Sequence, residues 1–228
     1  MESKIILMIS LLFFGFKMYS QKREKNSLKN DKSKLTGKEV VLEFDRLNFF
    51  NLTDKKDLKI TKAEFERSYN EMGFFEGFMN EDLSFTDNRF YFIDTETLFE
   101  GGGLIQYLEA IKPLFDKLNL QLVGSEEYNH QTEKHWKHLI KLNGKEYVAY
   151  DNDFGENDWG ISFVNFIEML NNELKLQNCE EQFYPISSGN DGRMVLLTNE
   201  QFEFVKTNYP NNNEHPKTVL EWKKSFGF

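Results

Sequence analysis

The chain has 228 residues, of which 39% are hydrophobic and 29% charged; this is enough apolar material for a folded core and excludes wholesale disorder. A single cysteine excludes an internal disulfide framework and a zinc site built from cysteines. The net charge of −9 argues against a nucleic-acid groove, which needs a basic face, so no nucleic-acid partner is expected.

The N-terminal residues predict export. Lys4 is followed by Ile5–Phe16, a run of twelve nearly all apolar residues. A basic start and an apolar run of about 7–15 residues are typical of a secretory signal peptide. A bilayer-spanning helix needs roughly 20 apolar residues, and Lys17 ends this run earlier. We expect cleavage between Ser20 and Gln21, which leaves an exported protein, periplasmic or extracellular, with no membrane anchor in its mature form.

Charge is sharply segregated along the chain. The net charge of −9 divides into +1 for residues 1–20, +5 for residues 21–38 and −15 for residues 39–228. We interpret the basic stretch as a solvated linker, and contact with anionic lipid or glycan is the alternative interpretation. The predicted organisation is a signal peptide (1–20), a basic linker (21–38), a helical hairpin packed on the main body (39–80) and an α+β domain (81–228).

Two capping boxes predict the helical hairpin. Thr36 and Glu39 have the spacing of such a box, which predicts a helix from there to about Phe50. The segment Thr61–Glu64 repeats the device and predicts a second helix that ends at Gly73.

The segment between these helices resembles an EF-hand calcium loop. In residues 53–64, Ile60 occupies the eighth loop position and Glu64 the twelfth, as in that family. Most ligand positions depart from the pattern, since the first is Thr53, the third is a lysine and the sixth is a leucine instead of glycine. Only Asp57 and Glu64 remain as carboxylates at ligand positions. We therefore expect no calcium there, because the number and charge of the ligands set the affinity.

The pattern from residue 81 predicts an α+β domain. Apolar runs predict strands at Phe90–Ile93, Leu120–Val123, His138–Leu142, Glu146–Tyr150, Phe183–Ile186 and Met194–Leu197. Helical spacing predicts helices after Gly103, with a kink or early end at Pro113, across Phe163–Leu174, after Thr198 and at Thr218–Phe226. Asn143-Gly144 is a strong hairpin signal, and Lys145 could extend its turn with a bulge. Because hairpins dominate, we predict a largely antiparallel sheet with helices packed on one face.

Three of the four histidines cluster in sequence, at positions 130, 135 and 138. The imidazoles of His130, His135 and His138 could hold zinc, completed by a glutamate at 126, 127 or 133. If His138 begins a strand, however, its odd separation from His135 places the two rings on opposite faces of the sheet. The hairpin signal favours the strand and therefore favours surface histidines over a metal site.

An acidic segment follows the predicted hairpin, with carboxylates at Asp151, Asp153, Glu156 and Asp158. Alternating carboxylates with a glycine resemble calcium loops, so Asp151, Asp153 and Asp158 are candidate ligands for a weak site. A solvated loop is the favoured interpretation, because a body this acidic contains acidic loops by composition. The same four carboxylates could dock a protein partner with a basic surface. No resident cofactor is expected; weak calcium or zinc binding is the alternative.

Common catalytic motifs are missing from the sequence. Cys179 is followed by Glu180 and Glu181, which should raise its pKa and blunt its reactivity. No G-x-S-x-G nucleophile motif occurs, and the glycines at 101–103 match neither a dinucleotide fingerprint nor a P-loop. We assign no catalytic residue, and the balance of the sequence favours a protein that is not an enzyme.

Residues from about 90 to 205 resemble the small α+β immunity-type domains of bacterial toxin systems. The resemblance rests on the acidic balance, the helix after Gly103, the hairpin Lys141–Val148, and Gly189-Asn190-Asp191 before an apolar strand. It implies a non-catalytic protein that binds a partner, and the predicted signal peptide would place that partner outside the cytoplasm. The alternative function is a metal-dependent exported hydrolase that uses the histidine cluster or the Asp151–Asp158 segment.

Overall fold

The computed structural model describes residues 35–69, 73–79, 87–100, 103–187, 192–209 and 215–227, and its elements belong to one unit, Thr36–Phe228. The helices are α1 (Gly37–Arg46), α2 (Leu58–Ser68), α3 (Thr95–Phe99), α4 (Gly103–Lys117), α5 (Asp158–Leu176), α6 (Asn199–Asn208) and α7 (Val219–Phe226). The strands are β1 (Phe90–Ile93), β2 (Gly124–Gln131), β3 (His135–Leu142), β4 (Lys145–Asp153), β5 (Glu181–Ser187) and β6 (Gly192–Thr198). The predicted signal peptide, its cleavage site at Ser20 and Gln21, and most of the basic linker lie outside the described residues.

The predicted α+β class is confirmed, and the strands form two antiparallel sheets with orders β1-β6-β5 and β2-β3-β4. The hairpin of β3 and β4 turns at Asn143 and Gly144, whose φ angles of 49° and 83° are those of a tight two-residue turn. Leu142 pairs directly with Lys145, so the lysine does not extend the turn. The bulge in this hairpin lies instead on β4, where Ala149 is the extra residue between the pairs His138–Tyr150 and Leu139–Val148.

One apolar core joins the two sheets through α4 and α5. Helix α5 is the amphipathic helix that the sequence predicts, and its apolar side chains are buried at Phe163, Phe166, Ile167, Leu170 and Leu174. These residues cluster with Ile140 and Leu142 of β3 and with Met194 and Leu196 of β6. Helices α3, α4 and α5 pack on one face of the β2-β3-β4 sheet, where alternate residues of β3 are buried. Its other face, called the outer face below, carries exposed or half-exposed side chains.

A cluster of phenylalanine rings covers the opposite side of the β1-β6-β5 sheet. This phenylalanine cluster consists of Phe44, Phe49, Phe50, Phe65, Phe74 and Phe78, contributed by α1, α2 and the two short 3-10 helices Phe49–Leu52 and Phe74–Phe78. Phe78 stacks on Phe90 of β1 at a centroid distance of 5.2 Å. The capping box of Thr36 and Glu39 is present at the start of α1, as the sequence predicts.

Several predicted element boundaries are wrong; α1, for example, ends at Arg46 and not at about Phe50. Helix α2 begins at Leu58, three residues before the predicted capping box, because the turn after Asp54 leads directly into it and Thr61 is buried within it. The strand predicted at Leu120–Val123 begins only at Gly124 and runs through a polar stretch whose eight residues are all exposed. A strand with no buried face carries no apolar periodicity, so the sequence pattern points to the wrong residues.

Two further differences concern helices. Helix α4 continues past Pro113 to Lys117. A proline leaves the carbonyl four residues earlier without its helical hydrogen bond, and here that residue is Glu109. Because Pro113 and Glu109 both lie on the solvent side, the helix continues. The short helix α3 was not predicted; Asp94 caps it, its carboxylate accepting hydrogen bonds from the backbone N–H groups of Glu96 and Thr97.

Candidate functional site

The three clustered histidines do not converge. His138 points to the buried side of the sheet, where its ring stacks on Trp136 and its Nε2 lies 2.5 Å from Glu127 Oε1. His135 lies three residues earlier on the outer face, and His130 is exposed on β2. The alternation of a strand therefore separates His135 from His138, as the sequence predicts. Among the described residues, no group of three or more His, Cys, Asp or Glu side chains has the geometry to hold a metal ion.

The acidic segment is only partly the loop that the sequence predicts. Asp151 and Asp153 belong to β4, because strand pairing with β3 continues to the pair of His135 and Asp153. Asp158 begins α5, where its carboxylate accepts hydrogen bonds from the N–H of Gly155 and, at 2.5 Å, from the hydroxyl of Tyr150. Glu156 is exposed in the turn between β4 and α5.

Asp151 and Asp153 are bound by basic side chains of β3. Asp151 contacts Nζ of Lys137 at 2.9 Å and Nε2 of His135 at 3.0 Å. Asp153 lies 2.9 Å from Nδ1 of the same imidazole. These contacts lower the pKa of Asp151, first through Lys137 and then through His135. Both carboxylates already have intramolecular partners and are therefore less available to a basic protein than the sequence suggests.

His135 provides a pH-dependent test of this arrangement. Hydrogen bonds to Asp153 and then to Asp151 raise its pKa above the ordinary value of about 6.5. A raised folded-state pKa means that the charged contact is fully formed below about pH 6.5 and is lost as the pH rises through the higher value. We expect an NMR titration of His135 to have its midpoint above 6.5 and D153N to lower that midpoint. A midpoint at or below 6.5 in the unsubstituted protein would contradict the two-carboxylate contact.

The segment that resembles an EF-hand loop is occupied by contacts within the chain. The Thr53 hydroxyl donates to the buried carboxylate of Asp87, and Asp54 pairs with Lys117 at 2.6 Å. Asp57 precedes α2, and Glu64 pairs with Arg67 at 2.6 Å within it. The two carboxylates at ligand positions thus sit on or next to a helix.

A cleft of about 820 Å³ opens where the ends of four helices meet. Helices α1, α4 and α5 each end at this cleft, and each end is followed by an asparagine with positive φ, at 48, 119 and 178. Asparagine tolerates this left-handed conformation and commonly terminates helices in this way. The fourth wall is the start of α6, Thr198–Gln201. Three helix carboxyl ends and one helix amino end therefore lie at the cleft.

Charged side chains make the cleft acidic. Among the described lining residues, Glu180, Glu181 and Glu200 stand against one cation, Arg46, whose guanidinium is already bound to Glu43 at 2.6 Å. Behind the wall, the buried guanidinium of Arg89 lies 3.6 Å from Glu181 and offsets part of its charge, so Glu180 and Glu200 carry most of the negative potential. The carbonyl ends of helices carry about half a negative charge each, so the helix ends add to the glutamates. A cation placed in the cleft would meet both sources of negative potential.

Hydrogen bonds fix the walls of the cleft in place. Gln177 and Gln121 are joined reciprocally: the backbone N–H of Gln121 donates to Gln177 Oε1 at 2.7 Å, and Gln177 Nε2 donates to the Gln121 carbonyl at 2.8 Å. Gln201 Nε2 donates to the carbonyl of Leu47 at 3.0 Å and so ties α6 to the end of α1. Such ties fix the positions of the helix ends that line the cleft.

Cys179 lies in the wall of this cleft but is poorly suited to be a nucleophile. Burial raises the pKa of the thiol to about 11, in the predicted direction; the carboxylate of Glu181 raises the pKa further, while the backbone of the same residue opposes the rise. The Sγ atom donates to Glu181 Oε2 at 3.2 Å. At neutral pH almost none of it is the reactive thiolate.

The cleft was not predicted from the sequence, although the sequence contains a signal for the three helix ends that form it. An asparagine follows each of the three helical stretches, a pattern that marks helix ends. Nothing local indicates that these ends meet, because they lie far apart along the chain.

The described helices include none that is both long and apolar enough to span a membrane. No protein-family model, no curated protein and no solved structure matches the chain.

Proposed function

We propose that this chain is an exported, non-catalytic binding protein whose partner presents a basic segment, and that the cleft receives this segment. The observation that carries the proposal is the cleft itself, where Glu180, Glu181 and Glu200 stand beside three helix carbonyl ends. A lysine or arginine side chain is the cation that a protein partner offers, and its long apolar stem can carry the charge into a cleft.

The charge of the whole body supports the same partner. Residues 39–228 carry a net charge of −15, which attracts basic proteins over a distance and speeds their encounter. The carboxylates at Asp151, Asp153 and Asp158 contribute to this long-range attraction. Their intramolecular contacts make them weaker candidates than the cleft for direct contact with the partner. Export to the periplasm or the cell exterior remains part of the proposal and rests on the N-terminal sequence.

The experiment uses a fluorescein-labelled peptide of about ten residues rich in lysine and arginine, with an acidic peptide of equal length as the negative probe. We expect the basic peptide to bind and the double variant E180K/E200K to weaken this binding about tenfold, because like charges would then face each other in the cleft. Fluorescence anisotropy measures both affinities. Binding should also weaken as salt is raised, since exposed charges are screened.

The matched control is E109K/E133K, which changes the net charge by the same amount at two exposed positions away from the cleft. This control should lose much less affinity than the cleft variant. Equal losses in both variants would show that the peptide responds only to net charge. A basic peptide that does not bind at all would refute the proposed partner.

A further inference from the structure

The outer face of the β2-β3-β4 sheet has an apolar centre. Tyr128, Leu139 and Val148 stand directly opposite one another across the three strands and form one row, called the central row below. Tyr128 is 52% exposed and Val148 is 49% exposed, although both are large apolar side chains. An apolar row in the middle of an uncovered sheet face has the position of an interface centre.

Charged residues of both signs flank the central row on each side. On one side Lys141 contacts Glu126 and pairs in register with Glu146. On the other side Lys137 and His135 contact Asp151, and His135 also contacts Asp153. His130, paired in register with Lys137, completes this side. The rim thus contains two lysines against four carboxylates and is far closer to neutral than the body as a whole.

We propose that this face binds a second copy of the chain, the two sheets stacking with central row on central row. A twofold axis along the row places the Lys141 side of one copy against the Lys137 side of the other. Each of these sides holds charges of both signs, so the surface is complementary to itself. Two copies of a chain with net charge −9 repel each other least where their surfaces are nearly neutral.

The size of the face sets the expected strength of the dimer. Three strands spaced about 4.8 Å apart present a narrow surface, smaller than the roughly 800 Å² per partner of a standard interface. We therefore expect weak, reversible association, strengthened when salt screens the repulsion between the two acidic bodies. The cleft lies elsewhere on the molecule, so this proposal does not depend on the one made for the cleft.

Sedimentation equilibrium of the purified protein, its N-terminus defined by mass spectrometry, tests the dimer from about 10 µM to about 1 mM. We expect the mean mass to rise toward twice that of the monomer and V148K to weaken association about tenfold, because it places a charge in the central row. The matched control is L42K, at a 60% exposed leucine on α1. Monomeric mass at every concentration would overturn the proposal, and so would equal effects of V148K and L42K.

Discussion

Replacing Arg89 by alanine is expected to lower the free energy of unfolding by about 3–5 kcal/mol, the usual cost of removing one member of a buried charged network. Arg89 is completely buried. Its guanidinium donates to the carbonyl of Phe49 at 2.7 Å, to the carbonyl of Leu196 at 3.1 Å and to Asn51 Oδ1 at 2.5 Å. It also lies 3.6 Å from the carboxylate of Glu181.

The physical reason is that alanine removes the guanidinium that bonds these three acceptors together. Burial lowers the pKa of Arg89, opposed by the nearby carboxylates of Asp87 and Glu181, and burial also raises the pKa of Asp87. Desolvation therefore disfavours the charged forms of Arg89 and Asp87, and the hydrogen bonds of the network offset this cost.

Urea unfolding followed by circular dichroism measures the loss. The control is R46A, because Arg46 forms an exposed ion pair with Glu43 within α1, and its loss should cost much less stability than the loss of Arg89. If R89A changes stability no more than R46A does, the buried network is not what joins Phe49, Asn51 and Leu196.

Replacing Phe65 by alanine is expected to cost about 3–5 kcal/mol, the usual range for removing a buried aromatic ring. Phe65 is completely buried at the centre of the phenylalanine cluster, with five ring partners at centroid distances of 5.1–6.0 Å. Most of these pairs meet edge to face, an arrangement that adds stability beyond the burial of area.

The surrounding structure is poorly placed to collapse into the cavity. A Cβ atom at Gly77 would come within 2.5 Å of the Phe65 ring, which shows how closely backbone and ring are packed. The control is I60A on the same helix, because Ile60 is 41% exposed and buries less area. Chemical denaturation should separate the two variants by at least about 2 kcal/mol. Similar losses for both would mean that the cluster is not the core of this part of the molecule.

Local patterns in the sequence were sufficient for several elements. The hairpin at Asn143 and Gly144 follows from backbone conformations that few other residue pairs adopt. The predicted capping box at Thr36 starts a helix through hydrogen bonds that span only three residues, and the structure shows the same device at Thr198 and Thr218, where two further helices begin. The box predicted at Thr61 failed because tertiary packing buries that residue inside a helix that has already begun.

The candidate sites depended on contacts that no local pattern specifies. The sequence predicts a solvated loop for Asp151 and Asp153. In the structure, pairing with β3 places both residues in a strand, and His135 contacts both carboxylates. The edge strand β2 has no buried face and so no apolar alternation, and its pairing with β3 decides where the central row lies.

The amino-acid sequence by itself determined the α+β class, the antiparallel hairpins, the main helices and the segregation of charge, because each depends on residues close together in the chain or on composition. Only the tertiary structure decided that three helix ends separated by dozens of residues meet at one acidic cleft, and that Arg89 joins two carbonyls and an amide from distant segments. Such convergence depends on how helices and sheets pack around a common core, and packing is a property of the whole chain.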